Sequence, residues 1–434
     1  MFVNSFVNVA AIAAAAGTLA VCSTTPAQWT VTVLRPVGST ESIAYGATGA
    51  QQAGSATVND EQHASVWSGT AGSWVDMHPP GASGSAALAA GGAQQAGFAT
   101  FGIQFRASLW SGTAASWVDL HPAGATASIA SGVSNGQQVG SAVIDGSTRA
   151  SLWTGTAASW VDLSPEGATA SVANATSAGQ QVGYAFIGGV NRASLWSGTA
   201  ASWVDLSPEG ATESIIYAIS AGQQAGEATV GNVGRASLWS GTASSWVDLH
   251  PGGDVTESVA FAVGGGLQAG YVVVTDESLF RASLWSGTAA SYVDLHAFLP
   301  AEFNESYAQS IASDGVKTYI AGYGYNSLTQ AYEALLWTRP LLTAGGPRCN
   351  AADIANDDGT PLPPIGPAGG VNNGVTEGDY NLFFATFFDA GAACDIANDD
   401  GSPLPPFGTL ATNNGVTEGD YNLFFAIYFD GCSL

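Results

Sequence analysis

One unit of sequence, repeated seven times, constrains this chain more than any other feature. It reads Arg-Ala-Ser-Leu-Trp-Ser-Gly-Thr-Ala-Ala-Ser-Trp-Val-Asp-Leu-His-Pro, then a Gly/Ala/Thr stretch, then Gly-Gln-Gln-Val-Gly. The first Trp recurs at Trp67, Trp110, Trp153, Trp196, Trp239, Trp285 and Trp337, at intervals of 43 residues four times and then of 46 and 52. A second aromatic series, Trp29, Trp74, Trp117, Trp160, Trp203, Trp246 and Tyr292, also counts seven. A unit of this period cannot bury its apolar face alone and must stack on its neighbours. In the third unit, strands are expected over residues 126–132, 137–144, 149–153 and 160–163, with Gly and Asn at the turns. Four strands in one such period is the length of a propeller blade. The predicted fold is all-β, a seven-bladed β-propeller of four-stranded blades over residues 28–338.

The ends of the repeat imply closure. The region begins with a lone fourth strand, residues 29–34, and ends with only three strands, residues 305–338. The N-terminal strand is therefore expected to complete the last blade and remove the open sheet edges. Within a unit, Trp110 and Trp117 can face each other across a hairpin. Arg106 and Asp119 fall on one face, close enough to pair. The Arg recurs as Arg149, Arg192, Arg235 and Arg281, with His63 in the first unit and Glu333 in the last. Scaffolding between blades is the expected role of this ring; an anion site is the alternative.

The formal net charge is −25, and the only Lys is Lys317. Such a chain lacks the clustered cations that a nucleic-acid partner requires. Residues 1–27 read as a secretory signal, with the apolar run AAIAAAAGTLAV and a small-residue cleavage site at Thr25-Pro26-Ala27. The absence of Lys or Arg before Arg35 departs from that pattern, and a buried Ala-rich helix is the alternative. No later stretch is long and apolar enough to span a bilayer. The expected localisation is extracellular or cell-surface. Cys22 leaves with the signal; two of Cys349, Cys394 and Cys432 can pair, and which two is left open.

The Gly-Gln-Gln-Val-Gly, Arg-Ala-Ser-Leu-Trp-Ser-Gly and Trp-Val-Asp-Leu segments resemble the HAF-type extracellular repeats of bacteria over residues 28–338. Arg-Ala-Ser, or His63-Ala64-Ser65, stands where that family has His-Ala-Phe. The resemblance implies an extracellular propeller-like module with no defined reaction.

A Pro/Gly linker, residues 339–348, leads to two copies of an acidic loop followed by a short Phe-rich helix. Thr376 can cap the first helix, with Asp379 at its third position. Phe383, Phe384, Phe387 and Phe388 give it an apolar face. Clustered carboxylates of this kind suit Ca²⁺, which takes oxygen ligands; a metal-free helical hairpin is the alternative. Residues 349–434 resemble a duplicated dockerin of the divergent Cys-bearing (GC-type) kind, an EF-hand-like α-helical module. The resemblance implies Ca²⁺ ligands at Asp353, Asn356, Asp358, Thr376 and Asp379, and at Asp395, Asn398, Asp400, Thr417 and Asp420. It also implies a cohesin-like or other cell-surface protein as partner. An extra residue before Gly359 and a Pro-rich insertion depart from the family's loop.

No Ser-His-Asp constellation and no metal-spaced His emerges from the sequence. His78, His121 and His250 share one slot and read as structural. The informative break in symmetry lies before the first strand of each unit, where Glu41, Glu213, Glu257 and Glu305 occupy blades 1, 5, 6 and 7. These blades are contiguous once the ring closes. Four residues on, Tyr45, Tyr217 and Phe261 occupy blades 1, 5 and 6. The seven residues are expected to form one arc at a channel mouth, suited to a sugar or a cation, with a solvated rim as the alternative. The leading function is a secreted, non-catalytic binding or structural module; the rival is a carbohydrate-active enzyme, a glycosidase or lyase, that uses these carboxylates.

Overall fold

A computed structural model describes residues 29–49, 51–275, 279–340, 382 and 383. It contains seven four-stranded antiparallel sheets, each with strands in the order a-b-c-d from the axis outward. The third blade is typical, with strands Ala127–Ser134, Gln137–Ile144, Ser147–Trp153 and Val161–Asp162. The seventh sheet joins Phe303–Ser313, Lys317–Asn326 and Ala331–Pro340 to the N-terminal strand Thr30–Val33. Closure is thus as expected, although strand c of the last blade continues through Arg339 and Pro340 into the expected linker. Among the described residues, no helix is long and apolar enough to cross a membrane. The expected signal segment, most of the linker and the Ca²⁺-ligand residues lie outside the described residues; within the tail, Leu382 and Phe383 are helical and buried.

Each residue of the repeat has a physical task. The seven strand-c Trp side chains are fully buried. They lie between blades: Trp153 packs on Ala96, Ala107, Leu109 and Leu120 of the preceding blade. The Ser beside it takes the indole N–H of the second Trp, as Trp117 Nε1 donates to Ser108 Oγ at 2.9 Å. The Gln of strand b accepts the N–H of the c–d turn, as Gly112 N donates to Gln95 Oε1 at 2.8 Å. The ladder between strands c and d is two residues long in blades 1 to 6 and four in blade 7, and it stops short of the strand-c Ala, whose N–H is left without a partner in its own sheet. A buried Ser near the start of the next blade's strand a accepts it. The bond recurs seven times, at 2.8–3.0 Å, and the last, Ala334 N to Ser42 Oγ, closes the ring.

The ion pairs follow the same order. Arg106 meets Asp119 at 2.6 Å and Arg149 meets Asp162 at 2.7 Å. Both partners are about a third exposed, so such pairs contribute at most about 1 kcal/mol and chiefly set geometry. The other Asp oxygen accepts the N–H two residues on, shaping the d–a turn (His121 N to Asp119 Oδ1, 2.9 Å). Blade 7 reverses the polarity: Glu333 sits in the Arg slot, and Arg35 reaches it from the N-terminal strand at 2.8 Å.

Register corrects one expectation. Val31, not Trp29, lies opposite Trp337, where Trp117 lies opposite Trp110 in blade 2. Trp29 sits two residues outside that slot, with the Arg339 guanidinium 4.9 Å from its ring centroid. The seventh member of the second aromatic series therefore belongs to the closure, not to the repeat.

Glu333 is almost fully buried and is also held by Asn326 Nδ2 and Thr329 Oγ1. Removing Arg35 leaves that carboxylate without its cation, so Arg35→Ala is expected to lower the unfolding free energy by about 3 kcal/mol. The double variant Arg35→Ala/Glu333→Gln should recover part of the loss. Urea denaturation of both checks this; an unchanged midpoint for Arg35→Ala contradicts a closure held at this pair.

Candidate functional site

The Gly after Gln-Gln creates the channel lining. A methyl group at Gly97 or Gly140 would collide with the strand-a carbonyl oxygen of Ala86 or Ile129, so only Gly allows strand a to bulge there. Each strand a carries this bulge at one residue: Tyr45, Leu88, Ser131, Asn174, Tyr217, Phe261 and Gln309 in blades 1 to 7. All seven line a central cavity of about 210 Å³. The slot that faces the channel is thus among the most varied in the repeat.

The structure places Glu41, Glu213, Glu257 and Glu305 at one end of the ring, each near the start of its strand a. Glu213 is exposed and the other three are half-buried. The aromatic residues join them. Tyr217 of blade 5 meets Phe261 of blade 6 edge-on, with centroids 5.1 Å apart. Phe261 meets Tyr271 at 5.5 Å, and Tyr271 meets Tyr307 of blade 7 at 5.7 Å. Tyr307 stacks on Tyr323 at 4.7 Å, and Tyr323 contacts Tyr332 edge-on. Three of these hydroxyls donate to carboxylates at 3.0 Å: Tyr217 to Glu227, Tyr271 to Glu257 and Tyr307 to Glu305. Burial, followed by the adjacent carboxylates, pushes the three tyrosine pKa values up and keeps these hydroxyls protonated donors. Tyr45 is raised as well, by burial first and to a lesser extent by Glu41.

Sequence reasoning found seven strand-a residues and missed Tyr307 on strand a of blade 7 together with Glu227, Tyr271, Phe280, Tyr323 and Tyr332 on strands b and c. A signal existed. The slot after the strand-b Gly reads Ser55, Phe98, Ser141, Tyr184, Glu227, Tyr271, Tyr323, and the slot before the strand-c Arg reads Gln62, Phe105, Thr148, Asn191, Gly234, Phe280, Tyr332. Both are aromatic in blades 2, 6 and 7, and in blades 6 and 7 they stand next to strand-a carboxylates. The Arg ring, by contrast, is engaged with Asp in blades 2 to 6, and each pair ties strand c to strand d of one blade rather than one blade to the next.

These features define a seven-bladed β-propeller with strand-exchange closure and an aromatic, acidic channel mouth. No protein family matches the sequence, and no curated protein matches it. Among solved structures, the chain is similar to a puromycin hydrolase (12% identity, TM-score 0.41, 67% of this chain and 53% of that one). It is also similar to a prolyl endopeptidase (11%, 0.46, 70% and 50%) and to the β-propeller domain of the Trilobed protease from Pyrococcus furiosus (8%, 0.40, 70% and 96%). The chain spans about half the length of the first two.

Burial first, then the nearby Glu257 and Glu213 carboxylates, hold the Glu227 carboxyl above its ordinary 4.5, against the lowering effect of the Tyr217 hydrogen bond. A carboxyl raised in the folded state contributes stability that is complete below its unfolded pKa and lost as pH rises through the folded one. Glu227→Gln keeps an acceptor for Tyr217 and should leave stability unchanged at about pH 4 but raise it at about pH 8. Thermal melts of both proteins across that range check the sign. A difference that does not vary with pH contradicts it.

Proposed function

We propose that the chain is a secreted, non-catalytic binding propeller that takes a carbohydrate at the mouth formed by blades 5, 6, 7 and 1. The supporting observation is the band of rings and carboxylates from Tyr217 to Tyr332, of which Tyr217 and Phe261 also line the central cavity. Carboxylates accept hydrogen bonds from sugar hydroxyls, and aromatic edges and faces cover the apolar C–H surfaces between them. In this reading the HAF-like repeat supplies the scaffold. Residues 349–434 act as a dockerin-like Ca²⁺ module that attaches it to a cohesin-like or other cell-surface partner.

Glycan-array binding by the wild type, lost in Glu213→Gln/Glu257→Gln and in Phe261→Ala, is the expected outcome; equal binding by all three proteins would reduce the mouth to a solvated rim. One observation favours an enzymatic reading instead. Glu227 is held protonated to higher pH beside Glu213 and Glu257, and an acid next to a second carboxylate is the equipment of glycoside hydrolysis. New reducing ends released from a polysaccharide by the wild type and not by Glu227→Gln would replace the binding reading with the enzymatic one.

The tail has its own test. Calorimetric titration of the full chain with Ca²⁺ should give binding between about micromolar and millimolar, abolished by Asp358→Ala/Asp400→Ala. No heat from the wild type would refute the Ca²⁺ module.

A further inference from the structure

We propose that blade 1 carries a transition-metal site of the zinc class, formed by Glu61, His63 and His78. Every other blade places a guanidinium where strands c and d meet: against Asp in blades 2 to 6, and as Arg35 against Glu333 in blade 7. Blade 1 has none. His63 takes the Arg slot, and its Nδ1 lies 2.8 Å from Asp76 Oδ2. The same blade is the only one with a carboxylate two residues earlier, in a slot that reads Glu61, Gln104, Ser147, Val190, Val233, Leu279, Ala331. Residues two apart on a strand share a face, so Glu61 and His63 project together, toward His78 in the segment leading to blade 2. Glu61 Oε2 is 3.9 Å from His63 Nε2, and the two imidazole rings stack with centroids 4.2 Å apart. One ligand atom from each of the three residues lies within 4.8 Å of the others. Two carboxylates and two imidazoles therefore converge where each other blade holds one permanent positive charge.

The hydrogen bonds aim the donors. Asp76 Oδ2 accepts the Nδ1–H of His63, which turns the Nε2 lone pair toward Glu61; a carboxylate behind a ligating imidazole fixes both tautomer and orientation. Asp76 is itself held, because its Oδ1 accepts the N–H of His78 at 2.8 Å. His78 Nδ1 is 2.9 Å from Ser85 Oγ, and Nε2 is 3.1 Å from the Ala82 carbonyl oxygen. The Ala82 carbonyl can only accept, so Nε2 carries the proton in this arrangement; to ligate a cation, His78 moves that proton to Nδ1, which then donates to Ser85, and turns Nε2 away from Ala82. His121 makes the same two contacts in blade 2, beside Arg106 and Gln104. What singles out blade 1 is the joint replacement of Arg by His63 and of Gln by Glu61. Two imidazole nitrogens and one carboxylate oxygen suit Zn²⁺ and its neighbours Co²⁺, Ni²⁺ and Cu²⁺, whereas Ca²⁺ and Mg²⁺ prefer oxygen alone. Glu61 is exposed, so solvent water can complete the coordination.

The repeat supplies its own control. His63→Arg writes the residue of five other blades into blade 1 and should pair with Asp76, so loss of metal cannot be ascribed to unfolding. Zn²⁺ titration of the full chain against a chromophoric chelator is expected to show one more ion bound per wild-type chain than per His63→Arg chain. Cys349, Cys394, Cys432 and the acidic tail are common to both proteins and cancel in the difference. Zn²⁺ should raise the Tm of the wild type by more than that of His63→Arg, and Glu61→Gln should weaken the extra ion by about tenfold or more. Equal stoichiometry and equal thermal shift in wild type and His63→Arg overturn the proposal and leave His63 as a structural stand-in for Arg.

Discussion

The ring depends on a single hydrogen bond made seven times, from a strand-c Ala N–H to a Ser hydroxyl of the next blade. The c–d ladder stops short of that N–H in every blade, and a buried orphan donor costs about 1–3 kcal/mol. The Ser removes the penalty and fixes the offset between adjacent blades. His78, His121, His250 and His296 contact the same hydroxyls from the d–a turn, and Ser164 and Ser207 do so in blades 3 and 4. Strand c, the turn and the next strand a thus meet at one atom. A uniform joint gives a uniform ring, and a uniform ring encloses an axial channel whose width is set before any lining side chain is chosen.

The small residues follow from that geometry. Blades taper toward the axis, and a methyl group at Gly46 or Gly132 would crowd the backbone of the next blade at Ala90 or Asn174. Gly and Ala on strands a and b therefore reflect the close approach of backbones rather than flexibility. The bulge that the strand-b Gly permits pushes one strand-a residue out of the sheet register and into the channel. That residue makes no demand on the ladder, so it is free to differ from blade to blade. Tyr45, Asn174 and Gln309 all stand in this slot without disturbing the blades that carry them.

Legibility in the sequence tracked how each feature is encoded. The repeat length, the split last unit and the Arg–Asp spacing are one-dimensional signals, and the sheets have the expected order and closure. Trp29 misled because an aromatic near the right spacing was aligned by type; the backbone ladder places Val31 opposite Trp337. The strand-a half of the mouth was legible because its carboxylates interrupt an otherwise regular slot. Glu227, Tyr271 and Tyr323 were harder to read, because their shared slot mixes Ser, Phe, Tyr and Glu around the ring and its signal gains meaning when cross-strand pairing brings them beside Ile215, Val259 and Tyr307. The blade 1 cluster was hidden for a related reason: His63 and His78 are too far apart in sequence to read as metal-spaced, and the d–a turn is what brings them together.

The distribution of cations gives the mouth its character. The chain has nine Lys and Arg against 34 Asp and Glu. Six of the nine are engaged in the blade ion pairs, and Arg339 lies over Trp29. Lys317 begins strand b of blade 7, at the end of the ring away from Glu305. Among the described residues, then, no Lys or Arg side chain forms an ion pair with Glu41, Glu213, Glu227, Glu257 or Glu305. Three of these carboxylates are met by tyrosine hydroxyls, which offer one hydrogen bond each and no charge. Closely set carboxylates sharing such weak compensation repel one another, and the raised Glu227 carboxyl is one consequence. These carboxylates lie beside the band of rings, and none of them lines the central cavity, whose rings are Tyr45, Tyr217 and Phe261. Under the proposed binding function, a molecule that brings several hydroxyl donors or a positive charge at once is what satisfies them, and on that proposal the charge balance of the scaffold and the chemistry of the mouth point the same way.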